Sequence, residues 1–88
     1  MLDYLSLDEK DFICKWVKYA GLLHCFNDLY LSKQENTDGR TMSLNLWKRD
    51  KDTNQYSLEN VLEDMNVEYY IRLGDGEKYD LSDLGIEI

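Results

Sequence analysis

The chain has 88 residues, 43% apolar and 12% aromatic, with no proline; this excludes a disordered linker and leaves room for one domain with a modest core. Its formal net charge is −8. The excess is one-sided: residues 1–49 hold seven acids and seven bases, whereas residues 50–88 hold eleven acids against Lys51, Arg72 and Lys78.

The opening MLDYLSLDEKDF lacks a basic start and a sustained apolar run, so it does not read as a signal peptide. Ser6 followed by Glu9 is the capping-box pattern of a helix N-terminus. Phe12, Ile13, Trp16, Val17, Ala20 and Leu23 then recur at three- and four-residue spacing, the apolar stripe of an α-helix. Asp11 and Lys15 form an i,i+4 pair on its other side. Gly21 costs a helix about 1 kcal/mol relative to alanine and marks a bend or a break. Beyond it, Leu22 to Leu31 is apolar on nearly every side, suiting either a buried segment or a homodimer interface.

Residues 30–34 read either as a strand, paired through an Asp38-Gly39 turn, or as a continuation of the helix. Residues 41–48, TMSLNLWK, alternate, with Met42, Leu44 and Leu46 on one side and Ser43, Asn45 and Trp47 on the other: a half-buried strand. DKDTNQ is a polar loop. Ser57 is placed to open a short helix whose Leu58, Val61, Leu62 and Met65 share a face. VEYYIRL alternates again, predicting a strand with Val67, Tyr69, Ile71 and Leu73 inward and Glu68, Tyr70 and Arg72 outward. Gly74-Asp75-Gly76 can reverse the chain so that EKYDL returns as its partner, and Leu84 to Ile88 can fray or add an edge. The sum is a single α+β domain over residues 1–88. An N-terminal helix, bent or split near Gly21, and a short second helix pack on a three- to four-stranded antiparallel sheet.

No residue constellation identifies a reaction. GDGEKYDLSD, residues 74–83, fails as an EF-hand: counted from Asp75, the fifth, sixth and twelfth positions are Tyr79, Asp80 and Ile86, where a ligand, a glycine and a glutamate are required. His24 is the only histidine and reads as a partly buried helix residue. On one continuous helix it would lie about 15 Å from Cys14, too far to activate it. Cys14 and Cys25 are the only cysteines; they fall short of a zinc set with His24 and read as free thiols in a reducing compartment. There is no phosphate-binding glycine loop, and no apolar stretch approaches the roughly 20 residues that span a bilayer. The expectation is a cytoplasmic protein with no catalytic residue, metal or cofactor. Direct nucleic-acid binding is disfavoured, because Lys48-Arg49-Asp50-Lys51 is the only basic cluster and phosphate contacts need many such residues.

What remains is the acidic half. Glu59, Glu63, Asp64, Glu68, Asp75, Glu77, Asp80 and Asp83, with Tyr70 as an aromatic anchor, are the candidate residues for meeting a basic protein, since carboxylates steer association towards positive grooves and aromatics supply affinity. In size and charge the chain resembles the small inhibitors that phages and mobile elements use against host nucleases, such as anti-CRISPR and anti-restriction proteins. That resemblance implies a basic nucleic-acid-processing enzyme as partner and the host cytoplasm as the place of action. Other readings are an immunity protein neutralising a toxin, a small homodimeric regulatory or adaptor subunit, and a charge that serves only solubility.

Overall fold

A computed structural model describes residues 4–87. It is an α+β domain. Helix α1 spans Leu7–Tyr19, and the strands are β1 (Leu29–Glu35), β2 (Thr41–Arg49), β3 (Tyr56–Asn66) and β4 (Tyr79–Asp80), with 3-10 helices at Leu23–Asp28 and Val67–Tyr69. The strands form one antiparallel sheet in the order β3-β2-β1-β4.

Helix α1 begins as its sequence dictates. The Ser6 hydroxyl accepts from the Glu9 amide at 3.2 Å, and the Glu9 carboxylate accepts from the Ser6 amide at 3.0 Å, so two of the orphan amides of the first turn are satisfied reciprocally. It ends one turn earlier than the apolar spacing suggests. Gly21 adopts φ +73°, and its amide donates to Lys18 O while the Leu22 amide donates to Val17 O. This is a Schellman stop, which a Cβ would resist. The apolar residues that follow turn through the 3-10 helix and enter β1, so residues 30–34 are strand.

The β1–β2 hairpin closes at Asp38-Gly39, with Asp38 Oδ1 accepting the Arg40 and Thr41 amides at 2.8 and 3.0 Å. Its register sets Leu31 opposite Leu46, Lys33 opposite Leu44 and Tyr30 opposite Trp47. Leu29, Leu31, Met42, Leu44 and Leu46 therefore share one face, and all five are fully buried. Helix α1 lies over that face, where the Trp16 indole donates to Asn60 Oδ1 at 2.9 Å, and its Ile13, Trp16 and Val17 join the core. Lys33, also buried, points into the same face with its ammonium 3.2 Å from Glu35 Oε1.

The second half departs from expectation. Residues 57–65 form strand β3, not a helix, and two register shifts interrupt it, between Met42 and Leu44 and between Leu46 and Trp47 on its partner. These bulges place Leu62 and Met65 opposite the inward Leu44 and Met42, while Leu58 and Val61 stand opposite the outward Trp47 and Asn45. Asp64 takes φ +60° at the first irregularity, a left-handed conformation that a short polar side chain tolerates. Residues 67–73 are a 3-10 helix and turns, not a strand. Leu73 is buried as expected, but Tyr70 is buried and Tyr69 and Ile71 are exposed, reversing the expected alternation at those three because three residues complete a 3-10 turn. This segment carries the chain from the β3 side of the sheet to the β1 side. There EKYDL supplies β4, which pairs with β1 and not with 67–73. Residues 84–87 are turn and irregular chain and add no edge strand, while Leu81, Leu84 and Ile86 fill the core; Ile88 lies outside the described residues. Among the described residues, no helix is long and apolar enough to cross a membrane.

Candidate partner-binding surface

The strand order divides the predicted acidic residues into two groups. Glu59, Glu63 and Asp64 belong to β3, one edge of the sheet, and Glu68 follows in the adjoining 3-10 helix. Asp75, Glu77, Asp80 and Asp83 belong to the loop, strand and turn around β4, the other edge. Three interstrand spacings, about 14 Å, separate the edges. A partner-binding role read from the sequence expects these acids to converge into one patch; the strand order instead sets them in two rows, one along each edge.

Each row has its own local chemistry. Asp75 Oδ1 accepts the Glu35 amide, and the Gly76 amide donates to Lys33 O at 2.7 Å, tying the loop to the outer side of β1. Glu77 Oε2 accepts the Tyr79 hydroxyl at 2.7 Å, and that hydroxyl accepts the Gly74 amide. Burial first, and the Glu77 hydrogen bond second, push the Tyr79 phenol up from its ordinary range. Asp80 Oδ1 accepts the Ser82 amide and hydroxyl. On β3, Glu59 accepts from Ser57 Oγ at 3.1 Å and borders a groove of about 370 Å³ with Asp28, Lys48, Arg49, Asp50, Lys51 and Ser57. The one basic cluster thus sits among carboxylates, and Glu59 faces positive neighbours that its sequence position does not reveal.

Ion pairing separates the two halves of the chain sharply. Among the described residues the pairs are Lys15–Asp11, Lys33–Glu35, Lys51–Asp28 and Arg72–Glu9. Every carboxylate in that set precedes residue 50. Two of the three cations of the second half, Lys51 and Arg72, reach back to acids of the first half. None of the eight predicted carboxylates takes part.

Tyr70 does not belong to this surface. It is 2% exposed, and burial, with Glu9 as a lesser cause, raises its phenol far above the ordinary value. It lines a cavity of about 230 Å³ with Asp8, Glu9, Phe12, Met65 and Tyr69. Glu9 there is already engaged by its cap and lies 3.6 Å from Arg72. The Leu22 to Leu31 segment likewise spends its apolar residues internally: Cys25, Leu29 and Leu31 are core, leaving Leu23 as its exposed large apolar side chain. His24 is exposed on the 3-10 helix, not partly buried on α1. Both cysteines are free; Cys14 Sγ donates to Glu87 O, and burial raises the Cys25 thiol.

Scanned against protein-family models, curated proteins and solved structures, the chain matches none. The surface must speak for itself.

One feature was not visible in the sequence. On the face of the sheet turned away from α1, the Tyr30 and Tyr56 rings meet edge to face at 5.2 Å, the Arg49 guanidinium lies 5.8 Å from the Tyr30 centroid, and the Lys78 ammonium lies over both Trp47 and Tyr56. Four separate segments contribute, so no spacing announces the cluster. The nearest signal is the Asp38-Gly39 turn, whose position already implies Tyr30 opposite Trp47.

Proposed function

We propose that this chain is a non-enzymatic acidic inhibitor that engages the basic nucleic-acid-binding surface of a partner enzyme, acting in the cytoplasm in the manner of phage or mobile-element anti-defence proteins such as anti-CRISPR and anti-restriction proteins. The observation that carries this reading is the ion-pair asymmetry. The acids of residues 50–87 form no ion pair among the described residues, while the cations nearest them in sequence are directed elsewhere. Carboxylates left without a cationic partner retain their field for an incoming positive surface. The sheet edges that carry the two acidic rows lie about 14 Å apart in backbone, a spacing of the same order as the roughly 12 Å major groove of a duplex, which suits a channel built for nucleic acid.

The test is calorimetric titration against basic nucleic-acid-processing enzymes of the native host, with duplex DNA as competitor. The variant carries Glu63→Gln, Asp64→Asn, Asp75→Asn and Asp80→Asn. Each amide keeps an acceptor oxygen, so the bond from the Glu35 amide survives while the charge is removed. The wild type is expected to compete with DNA, and the variant to bind about tenfold or more weakly. Equal affinity of the two proteins would remove the acidic rows from the account.

A further inference from the structure

We propose that Trp47 and Tyr56 form a receptor for a lysine or arginine side chain of a basic partner protein, a receptor that the chain's own Lys78 fills in the isolated molecule. The Lys78 ammonium lies 4.6 Å from the Trp47 ring centroid and 5.0 Å from that of Tyr56, within the distance at which a ring quadrupole attracts a cation. The rings are held in advance of any guest. The Trp47 indole donates to Ser32 Oγ at 2.7 Å, and Ser32 is itself buried; Tyr56 is braced edge-on by Tyr30.

The choice made by Lys78 is informative. Glu77 is its neighbour in sequence and Asp80 is two residues away, yet among the described residues its ammonium pairs with no carboxylate and takes the rings instead. The site therefore competes successfully for a cation in the presence of acids. Lys78 is also exposed, on the loop before a strand of two residues, so its release disturbs little of the sheet. Asp80 stands opposite Tyr30 across the β1–β4 pairing and supplies the negative charge that an aromatic cation site needs in order to exclude anions. That charge selects a basic side chain over the phosphates of a single-stranded nucleic acid, which also stacks on exposed aromatics. The identity of the partner rests on the inhibitor reading; the chemistry of the receptor does not.

The experiment follows the Trp47 indole N–H resonance while acetyl-Arg-Gly-Arg-amide is added at constant ionic strength to the full chain. Parallel titrations use the same peptide with citrulline for arginine, sodium chloride alone, and oligothymidylate. In Lys78→Ala, where the internal competitor is gone, the arginine peptide is expected to bind about two- to fivefold more tightly than in wild type. Lys78→Gln serves as a second vacated form, and Tyr56→Leu, which removes the second ring but keeps the Trp47 reporter, is expected to abolish binding. The proposal is overturned if both Lys78 variants bind no better than wild type, if the citrulline peptide or salt moves the resonance equally, or if oligothymidylate binds and the arginine peptide does not. Arginine-peptide binding that persists in the Glu63→Gln, Asp64→Asn double variant supports the receptor whatever becomes of the acidic rows. Salt-sensitive enzyme binding without peptide binding leaves the inhibitor reading standing and removes the receptor.

Discussion

Two lysines show how differently the two faces of the sheet are built. Beneath α1, Lys33 is 3% exposed among leucines and is answered by a carboxylate, Glu35. On the opposite face Lys78 is exposed and answered by two aromatic rings. A buried ammonium carries a desolvation cost that only a charge at close range offsets; an exposed one keeps most of its water, and the softer attraction of a ring is enough. The inner face is thus specified by apolar burial with one compensated charge. The outer face is specified by weaker, solvent-accessible contacts, which the proposed receptor would need in order to exchange Lys78 for a guest.

The largest expected effect sharpens this contrast. Leu44→Ala, at a fully buried inner position, is expected to lower stability by about 2–5 kcal/mol in urea unfolding. Leu58→Ala, half exposed on the other face, is expected to cost roughly 1 kcal/mol or less. Similar losses at both positions would break the distinction. Next in size, Glu35→Gln strips the counter-charge from Lys33 and is expected to cost about 1–3 kcal/mol, with Lys33→Met in the same background restoring most of it. Lys78→Ala is expected to cost only about 0.5–1 kcal/mol, measured in the same way. The smallest effect concerns the hairpin that joins the strands of both faces. Hydrogen bonds from the Thr41 amide, the Arg40 amide and the Thr41 hydroxyl hold the Asp38 carboxyl below its ordinary value of 3.8. Its contribution is complete above that value and is lost as pH falls through the lower, folded one. Amide exchange at Thr41 is therefore expected to accelerate below about pH 3.8, and Asp38→Asn to show no such acid limb.

Legibility divides along the chain as charge does. Ser6, Glu9, Gly21 and Asp38-Gly39 are read directly, because caps and turns are decided by a few adjacent residues. The alternation of Met42, Leu44 and Leu46 is equally plain, because β2 is regular through them on its β1 side. Strand β3 deceives because its two bulges convert a period of two into steps of three and one. Leu58, Val61, Leu62 and Met65 then imitate one helical face although they divide between both faces of the sheet. VEYYIRL deceives in the opposite sense: its alternation is chemical only, since the chain there makes 3-10 turns that bury Tyr70 and Leu73. The acidic residues were legible as a set, but their division into two rows depends on strand order, which places β4 beside β1 at the far edge from β3. The Trp47–Tyr56–Lys78 cluster required the same topology and had no local sign at all.

The proposed inhibitor function requires that the carboxylates of the second half, which form no ion pair among the described residues, be the surface a basic partner meets. The most direct measurement is the slope of log Kd against log salt concentration for the complex with that partner, taken for the wild type and for the Glu63→Gln, Asp64→Asn, Asp75→Asn, Asp80→Asn variant. A steep dependence that flattens in the variant is the predicted result. Identical slopes would contradict the claim, since the binding would then draw nothing from these charges.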